Sequence, residues 1–432
     1  MNTSVGFEDY RRTIRELSDR LVEAQRPIRI LDAIKWDASV QEAFFKAGCR
    51  AQPPVDKAYY EGRPLSFDPL AKRREFQELE GDIRRRLGQF NPIGGIMRRM
   101  CGEYETVVRM LQARGTPEFS ALSRQLYGSP HDVFHAGDPT LANLGEMMSE
   151  ALANIDRHGN GQTEEKTITG EQAVAVLQER LACIFSDSER SVRVMLDDGI
   201  VSDAAAGVDY IKIRADALFT ERDLRILEIH EGWVHVGTTL NGMNQPVCTF
   251  LSKGPPSSTV TQEGLAILME ILAFASFPDR IRRLTNRIHA ASMAEEGATF
   301  LDVFRYFRER DLTDAESYTN AARIFRGSTP ADGPFTKDIS YSKGFVLSYN
   351  FIQLAVRRGR LRRIPLLFCG KTTLEDIRTL AHGVEEGLIN PPRFLPPQIA
   401  DLSALTAWMC YSNFLNRLNL QQIEADYSGM LS

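Results

Sequence analysis

The sequence predicts an α+β protein that is predominantly α-helical, with one small β-sheet near its middle. Three observations predict it. Apolar residues recur at three- and four-residue intervals through most of the 432-residue chain, the period of an amphipathic helix. Two short, partly alternating runs at 192–196 (VRVML) and 208–214 (VDYIKIR) break that period and read as strands. No repeat of fixed period and no low-complexity run competes with these patterns.

Taken in order, residues 10–23 carry Ile14, Leu17, Leu21 and Val22 on one stripe, and similar spacing recurs at 76–87, 97–113 and 141–155. Breaks at Gln52-Pro53-Pro54, Asn91-Pro92 and Ser129-Pro130 separate these helices. Arg84-Arg85-Arg86 reads as a solvated helix face. The polar stretch 157–166 (RHGNGQTEEK) predicts a surface loop, followed by a helix over 172–185 and the two strands, with Asp198-Gly199 as a turn between them. Thr220 and Asp223 form an acidic variant of the capping box, opening a helix through Leu224, Leu227 and His235. The loop KGPPSS at 253–258 leads to a second helix, for which Thr261 is the expected N-cap and Gly264 lies in the first turn. From Asp279 onward the pattern is mostly helical, interrupted at 327–333 and by prolines at 391, 392, 396 and 397.

Composition narrows the function classes. With 52 basic and 57 acidic side chains the net charge is −5, which lacks the basic surplus of a nucleic-acid binder. The longest mostly apolar stretch, 265–277, contains Glu270 and is too short to span a bilayer. The amino terminus shows no charged-then-apolar signal pattern, so a cytoplasmic location is expected, with neither nucleic acid nor membrane as partner. Six cysteines without a CxxC pair read as free thiols rather than disulfides or zinc knuckles. The sequence leaves the oligomeric state open.

The strongest chemical signal is Glu228-Ile229-His230-Glu231-Gly232-Trp233-Val234-His235, an HExxxH arrangement. In the HExxH helix of zinc peptidases, histidines four apart share a face and the glutamate is the general base. Here the spacing is five, which on an ideal α-helix carries the second imidazole about 140° past full circle. A π turn of about 4.4 residues cuts that to about 50° and restores a shared face. Gly232 inside the turn eases the irregularity. Zinc in a catalytic site takes three protein ligands and leaves one position for water. Glu263, 28 residues beyond His235 in TQEGLA at 261–266, is the expected third ligand. Glu270, seven residues later, is the alternative ligand or a partner of a liganding group. The metal lowers the pKa of bound water towards about 7. Glu231 then takes the proton and delivers it to the leaving amine, and a Tyr, His or Arg shares the oxyanion. His131 and His135 are four apart, but Ser129-Pro130 before them and Ala136-Gly137-Asp138-Pro139 after leave barely one helical turn, so they read as structural. Trp233 and Trp408 read as packing residues.

These residues resemble those of the QEGLA-motif proteins. Bacterial members of that family are often named flavohemoglobin-expression-modulating proteins, and its eukaryotic relatives are microtubule-associated tyrosine carboxypeptidases, which remove the C-terminal tyrosine of tubulin. The resemblance rests on HEGWVH at 230–235, Thr239-Leu240-Asn241-Gly242, Gln245-Pro246 and QEGLA at 262–266. It extends to Arg323-Ile324-Phe325-Arg326-Gly327, to Phe335-Thr336-Lys337-Asp338 with Tyr341 and Gly344, and to Gly370-Lys371, so it covers roughly 120–400. It implies a zinc carboxypeptidase-like site with His230, His235 and Glu263 as ligands and Glu231 as catalytic acid/base. The bacterial-type features stand closer to this chain, so tubulin is not carried over as substrate.

A carboxypeptidase also needs a cation for the substrate's terminal carboxylate, which the planar fork of Arg suits. Arg323, Arg326 and Lys337 are the candidates, with Tyr341 as a candidate oxyanion donor. The expected fold is a zincin-like core within a catalytic domain of residues 116–432, preceded by an N-terminal helical extension of residues 1–115. The expected function is that of a zinc-dependent metallocarboxypeptidase acting on a peptide or protein C-terminus. The alternative is a non-catalytic zinc-binding regulatory or interaction protein.

Overall fold

Ile14, Leu17 and Leu21, the stripe of the first expected helix, have no exposed surface. In the computed structural model, which describes residues 2–157, 164–186, 191–200 and 202–431, that helix runs Asn2–Gln25. It packs beside Pro69–Leu87 and Pro92–Gln112. Both of these helices start earlier than their apolar stripes suggest. Asp68 caps the N–H groups of Leu70 and Ala71, Asn91 caps that of Gly94, and a proline follows each cap. Proline is favoured there because its missing N–H has no intrahelical partner to lose. Asn91-Pro92, expected as a break, is therefore a helix start. Of the expected loop at 157–166, residues 158–163 lie outside the described residues.

One apolar core joins the N-terminal helices to those that follow: Leu17, Phe76 and Met97 share it with Leu265, Leu268 and Ile352. Hydrogen bonds tie the same regions together. Ser18 Oγ accepts the N–H of Phe250 at 2.7 Å, Thr249 Oγ1 donates to Asp19 at 2.6 Å, and Arg15 donates to the Pro246 carbonyl at 2.7 Å.

The sheet is mixed. Strand β1 (Ile168–Thr169) pairs antiparallel with β5 (Leu218–Phe219), while β2 (Arg193–Asp197), β3 (Ala204–Ala206) and β4 (Tyr210–Arg214) form a three-stranded sheet in the order β2-β4-β3. Strands β2 and β4 are the two expected, but they lie parallel, Val194 opposite Ile211. Strand β3 occupies the connection and pairs antiparallel on the other side of β4. Three alanines carry no β-branched pattern, so β3 gives no strand signal in the sequence. Ile211 and Ile213 point down into a second core with Leu177 and Leu181 of the helix Gly170–Ile184.

Thr220 and Asp223 form the expected capping box, each side chain accepting the other's backbone N–H at 3.0 Å. They open a helix in three pieces: α-helical Glu221–Leu227, a π-helix over Glu228–Val236, and α-helical Gly237–Met243. The next helix is Pro256–Leu272. Thr261 does not cap it, because Pro255 and Pro256 start the helix five residues earlier. The cap comes from a distance: the Glu103 carboxylate accepts the Ser257 N–H at 2.9 Å and its hydroxyl at 2.8 Å. Glu263 and Gly264 therefore sit in the middle of a buried helix. Gly264 crosses Gly344 of the helix Ser340–Arg357, and a Cβ on Gly264 would meet the Gly344 carbonyl carbon at 2.0 Å. Among the described residues no helix is long and apolar enough to cross a membrane.

Candidate metal centre

The π-helix brings His230 and His235 together as the five-residue spacing requires, their rings 4.8 Å apart and nearly perpendicular. Glu263 approaches from the helix Pro256–Leu272, and its Oε2 lies 3.3 Å from the Nε2 of both histidines. In a tetrahedron with metal–ligand bonds of about 2.05 Å, two donor atoms lie about 3.3 Å apart, so this spacing fits one cation between the three side chains. The donor atoms all fall within 4.8 Å of one another, and this is the one such group among the described residues that could hold a metal ion.

The surroundings favour positive charge at that point. His230 Nδ1 meets Glu270 Oε1 at 2.7 Å, and Glu270 has no exposed surface. Arg280 donates to both Glu270 oxygens, to Oε1 at 2.9 Å and to Oε2 at 3.1 Å. Burial raises the Glu270 carboxyl, but Arg280 and His230 bring it down to about 2. Burial opposes a charged His230, yet the bonds to Glu263 and Glu270 push it up to about 10. Glu263 is likewise held well below the ordinary carboxylate value against its burial, by Lys337 and the two imidazoles. Lys337 Nζ donates to Glu263 Oε1 at 3.1 Å, leaving Oε2 turned to the histidines.

Glu231 is half-buried, and its Oε2 accepts the N–H of Ala206 from the edge strand β3 at 2.9 Å. Tyr341 stands in the first turn of its helix with its ring 6.1 Å from that of His230. Arg323 is engaged by Asp338 through two bonds of 2.9 and 3.1 Å. Arg326 is buried, its guanidinium has neither hydrogen bond nor ion pair among the described residues, and it stands over the Phe335 ring at 5.4 Å. Burial and the nearby Arg323 lower Arg326 to about 10.

Three contributors to the site were not apparent from the sequence. Arg280 and Arg287 lie on the helix Pro278–Glu295, where arginines at 280, 283 and 287 repeat at helical spacing and could have been read as one cationic face. Arg287 sits 3.9 Å from Asp338, and burial with Arg323 lowers it to about 10. Lys371, quoted only as part of a motif, donates to the His235 carbonyl, Thr238 Oγ1 and Gln262 Oε1 at 2.9–3.0 Å, tying the π-helix to the QEGLA helix. Burial pushes its ammonium down to about 7. Other motif residues prove structural. Asn241 bonds the backbone of Phe368, Arg393 and Phe394, and Gln245 bonds that of Cys369 and Asn390. Gly242 and Gly370 each have backbone contact with the Leu251 carbonyl.

The remaining expectations divide. His135 is exposed and bonds Asp138, His131 lies 3.5 Å from Glu296, and the two form no helix. All six cysteines are free. Trp233 packs near Phe185 at 6.3 Å, but Trp408 is 54% exposed and is not a packing residue.

Fold and site together define a helical protein with two small embedded sheets and a largely buried His–His–Glu group able to hold a metal ion. A family model described as microtubule-associated tyrosine carboxypeptidase matches residues 42–417, and the chain belongs to that family. The family is thus named for a peptidase activity. No match was found among curated proteins.

Proposed function

We propose that the protein is a zinc-dependent metallocarboxypeptidase that removes a residue from the C-terminus of a peptide or protein. The observation that carries this reading is the 3.3 Å spacing of Glu263 Oε2 from both imidazole Nε2 atoms, with Glu231 next to the first histidine. On this reading the core is zincin-like, residues 116–432 form the catalytic unit, and residues 1–115 are a helical extension sharing its interior.

His230, His235 and Glu263 would hold the zinc, and Glu270 would fix His230 through its Nδ1 hydrogen. Zinc bound there supplies Lewis acidity, activating water and polarising the scissile carbonyl. Glu231 is the general base and then the general acid for the departing amine. The Ala206 N–H bond fixes one of its oxygens and leaves the other to handle the proton. Tyr341, its ring 6.1 Å from that of His230, would be the donor to the oxyanion. Of the cations, Arg323 and Lys337 already face Asp338 and Glu263, so their part is to hold the site's framework. Arg326, with Arg287 beside it, is left to take the substrate's carboxylate.

The test is metal analysis of the purified chain, then incubation with a mixed peptide library and mass readout of trimmed ends. The expected result is about one zinc per chain and loss of single C-terminal residues. Glu231→Gln should keep the metal and lose at least about a hundredfold in rate. A chain with no affinity for added zinc would overturn the proposal. Full biological effect of zinc-loaded Glu231→Gln would favour the non-catalytic alternative.

A further inference from the structure

The helix Leu402–Leu415 carries no charged side chain, and none follows it before Arg417. One of its faces is accounted for, since Leu405 and Met409 enter the main core with Ile352 and Val356. The opposite face is apolar too. Trp408, Tyr411 and Leu415 follow one another at three and four residues, with Phe414 beside them, which is the spacing of one helical stripe. All four are exposed, Tyr411 to 73%. A surface helix ordinarily turns charged or polar residues outward, and a contiguous apolar patch left in solvent marks an interaction site.

Basic chain lies alongside it. The helix Ser340–Arg357 runs antiparallel to this one: Tyr349 Oη and Gln353 Nε2 both meet Ser412 Oγ, and Asn416 Nδ2 donates to Tyr349 Oη at 3.5 Å. One turn further on, Arg357 comes level with Trp408, about 10 Å away across the helix pair. Arg357 opens the run Arg357-Arg358-Gly359-Arg360-Leu361-Arg362-Arg363. Arg357, Arg358, Arg360 and Arg362 are exposed, and none of them forms an ion pair among the described residues. No acidic residue stands between Asp338 and Glu375, and Asp401 is taken up as the N-cap of the apolar helix. The net charge of −5 conceals this local surplus.

We propose that this region docks on an anionic phospholipid surface, with Trp408, Tyr411, Phe414 and Leu415 entering the interface and the arginine run held by lipid phosphates. Aromatic side chains favour the headgroup boundary, the apolar face of a helix lies there in the membrane plane, and clustered arginines are drawn to anionic lipid. An isologous contact between two copies of the chain would match the stripe but meet the arginines with more arginine. Docking of this kind needs no spanning helix, and a net charge is blind to it. Tyr341 and Arg357 stand at opposite ends of one helix, about 24 Å apart at 1.5 Å per residue, so the docking face is remote from the metal group.

The experiment is flotation of the full chain with vesicles of phosphatidylcholine alone and of equal parts phosphatidylcholine and phosphatidylglycerol. The anionic vesicles should bind it at least about tenfold more tightly, and added salt should weaken that binding. Brominated acyl chains should quench the tryptophan fluorescence of the bound chain, an effect lost in Trp408→Phe. Replacing Arg357, Arg358, Arg360 and Arg362 together by Gln should lower affinity for anionic vesicles by at least about a hundredfold. Trp408→Ser combined with Phe414→Ser should lower it by at least about tenfold. These positions are all exposed, and an unchanged melting temperature is the folding control. Equal binding to neutral and anionic vesicles, or none to either, would overturn the proposal. Absence of binding together with a dimer that the two serines break would assign the face to a second copy instead, and absence together with retention on polyglutamate would assign it to an acidic protein.

Discussion

His230 Nδ1 and Glu270 Oε1 face each other at 2.7 Å inside the protein, with Arg280 donating to both oxygens of the carboxylate. A histidine so bonded presents its Nε2 in one tautomer and one orientation, the state a metal ligand needs. Glu270→Gln should therefore weaken zinc binding about 10- to 100-fold while the chain stays folded. Competition against a chromophoric chelator measures the change, and unaltered affinity would show that Glu270 serves packing alone.

Metal should also stabilise the fold. A ligand that binds only the folded state adds about 2.7 kcal/mol at a hundredfold excess over its Kd. The melting temperature of the chelator-stripped protein should thus rise with added zinc, and His230→Ala should abolish the rise. A shift of equal size in His230→Ala would place the binding elsewhere.

The Asp338–Arg323 pair predicts an acid limb. Burial alone would raise the Asp338 carboxyl, but Arg323 and Arg287 overcome it and hold the group below its usual value. The folded pKa is below the unfolded one, so the unfolded chain takes up the proton first. The stability from this pair is then complete above about pH 4 and lost as pH falls towards the folded value. Asp338→Asn should flatten that part of the pH profile in urea denaturation. At neutral pH it should cost about 3 kcal/mol, because Arg323 is left buried without its counter-charge.

Gly264 offers a steric test. A methyl group there would lie 2.0 Å from the Gly344 carbonyl carbon and 2.2 Å from its oxygen, which only a movement of one helix can relieve. Gly264→Ala should destabilise the chain by about 3 kcal/mol and lower zinc affinity, since Glu263 moves with its neighbour. Wild-type stability in calorimetry would contradict the crossing.

Much of this arrangement is legible in the residue order because local rules act there. The capping pair Thr220–Asp223 and the stripe Ile14–Leu17–Leu21 declare themselves within a turn or two. The five-residue histidine spacing demands a widened helix, and Glu228–Val236 is one. What stays hidden depends on distant chain. The start of the QEGLA helix relies on Glu103, more than 150 residues away, and local signals pointed instead to Thr261. Strand β3 is a strand because β4 lies beside it, not because alanine prefers to be one. Arg280 and Arg287 resemble any surface arginines until tertiary packing buries them against Glu270 and Asp338.

The crossing at Gly264 and Gly344 has a mechanical side as well. Glu263 precedes one glycine and Tyr341 stands three residues before the other, so both are mounted on a joint where main chain touches main chain. Such a joint has no side chain to flex and acts as an anvil. Any give at the metal group must then come from its other side, the edge strand Ala204–Ala206 that holds Glu231 by a single amide.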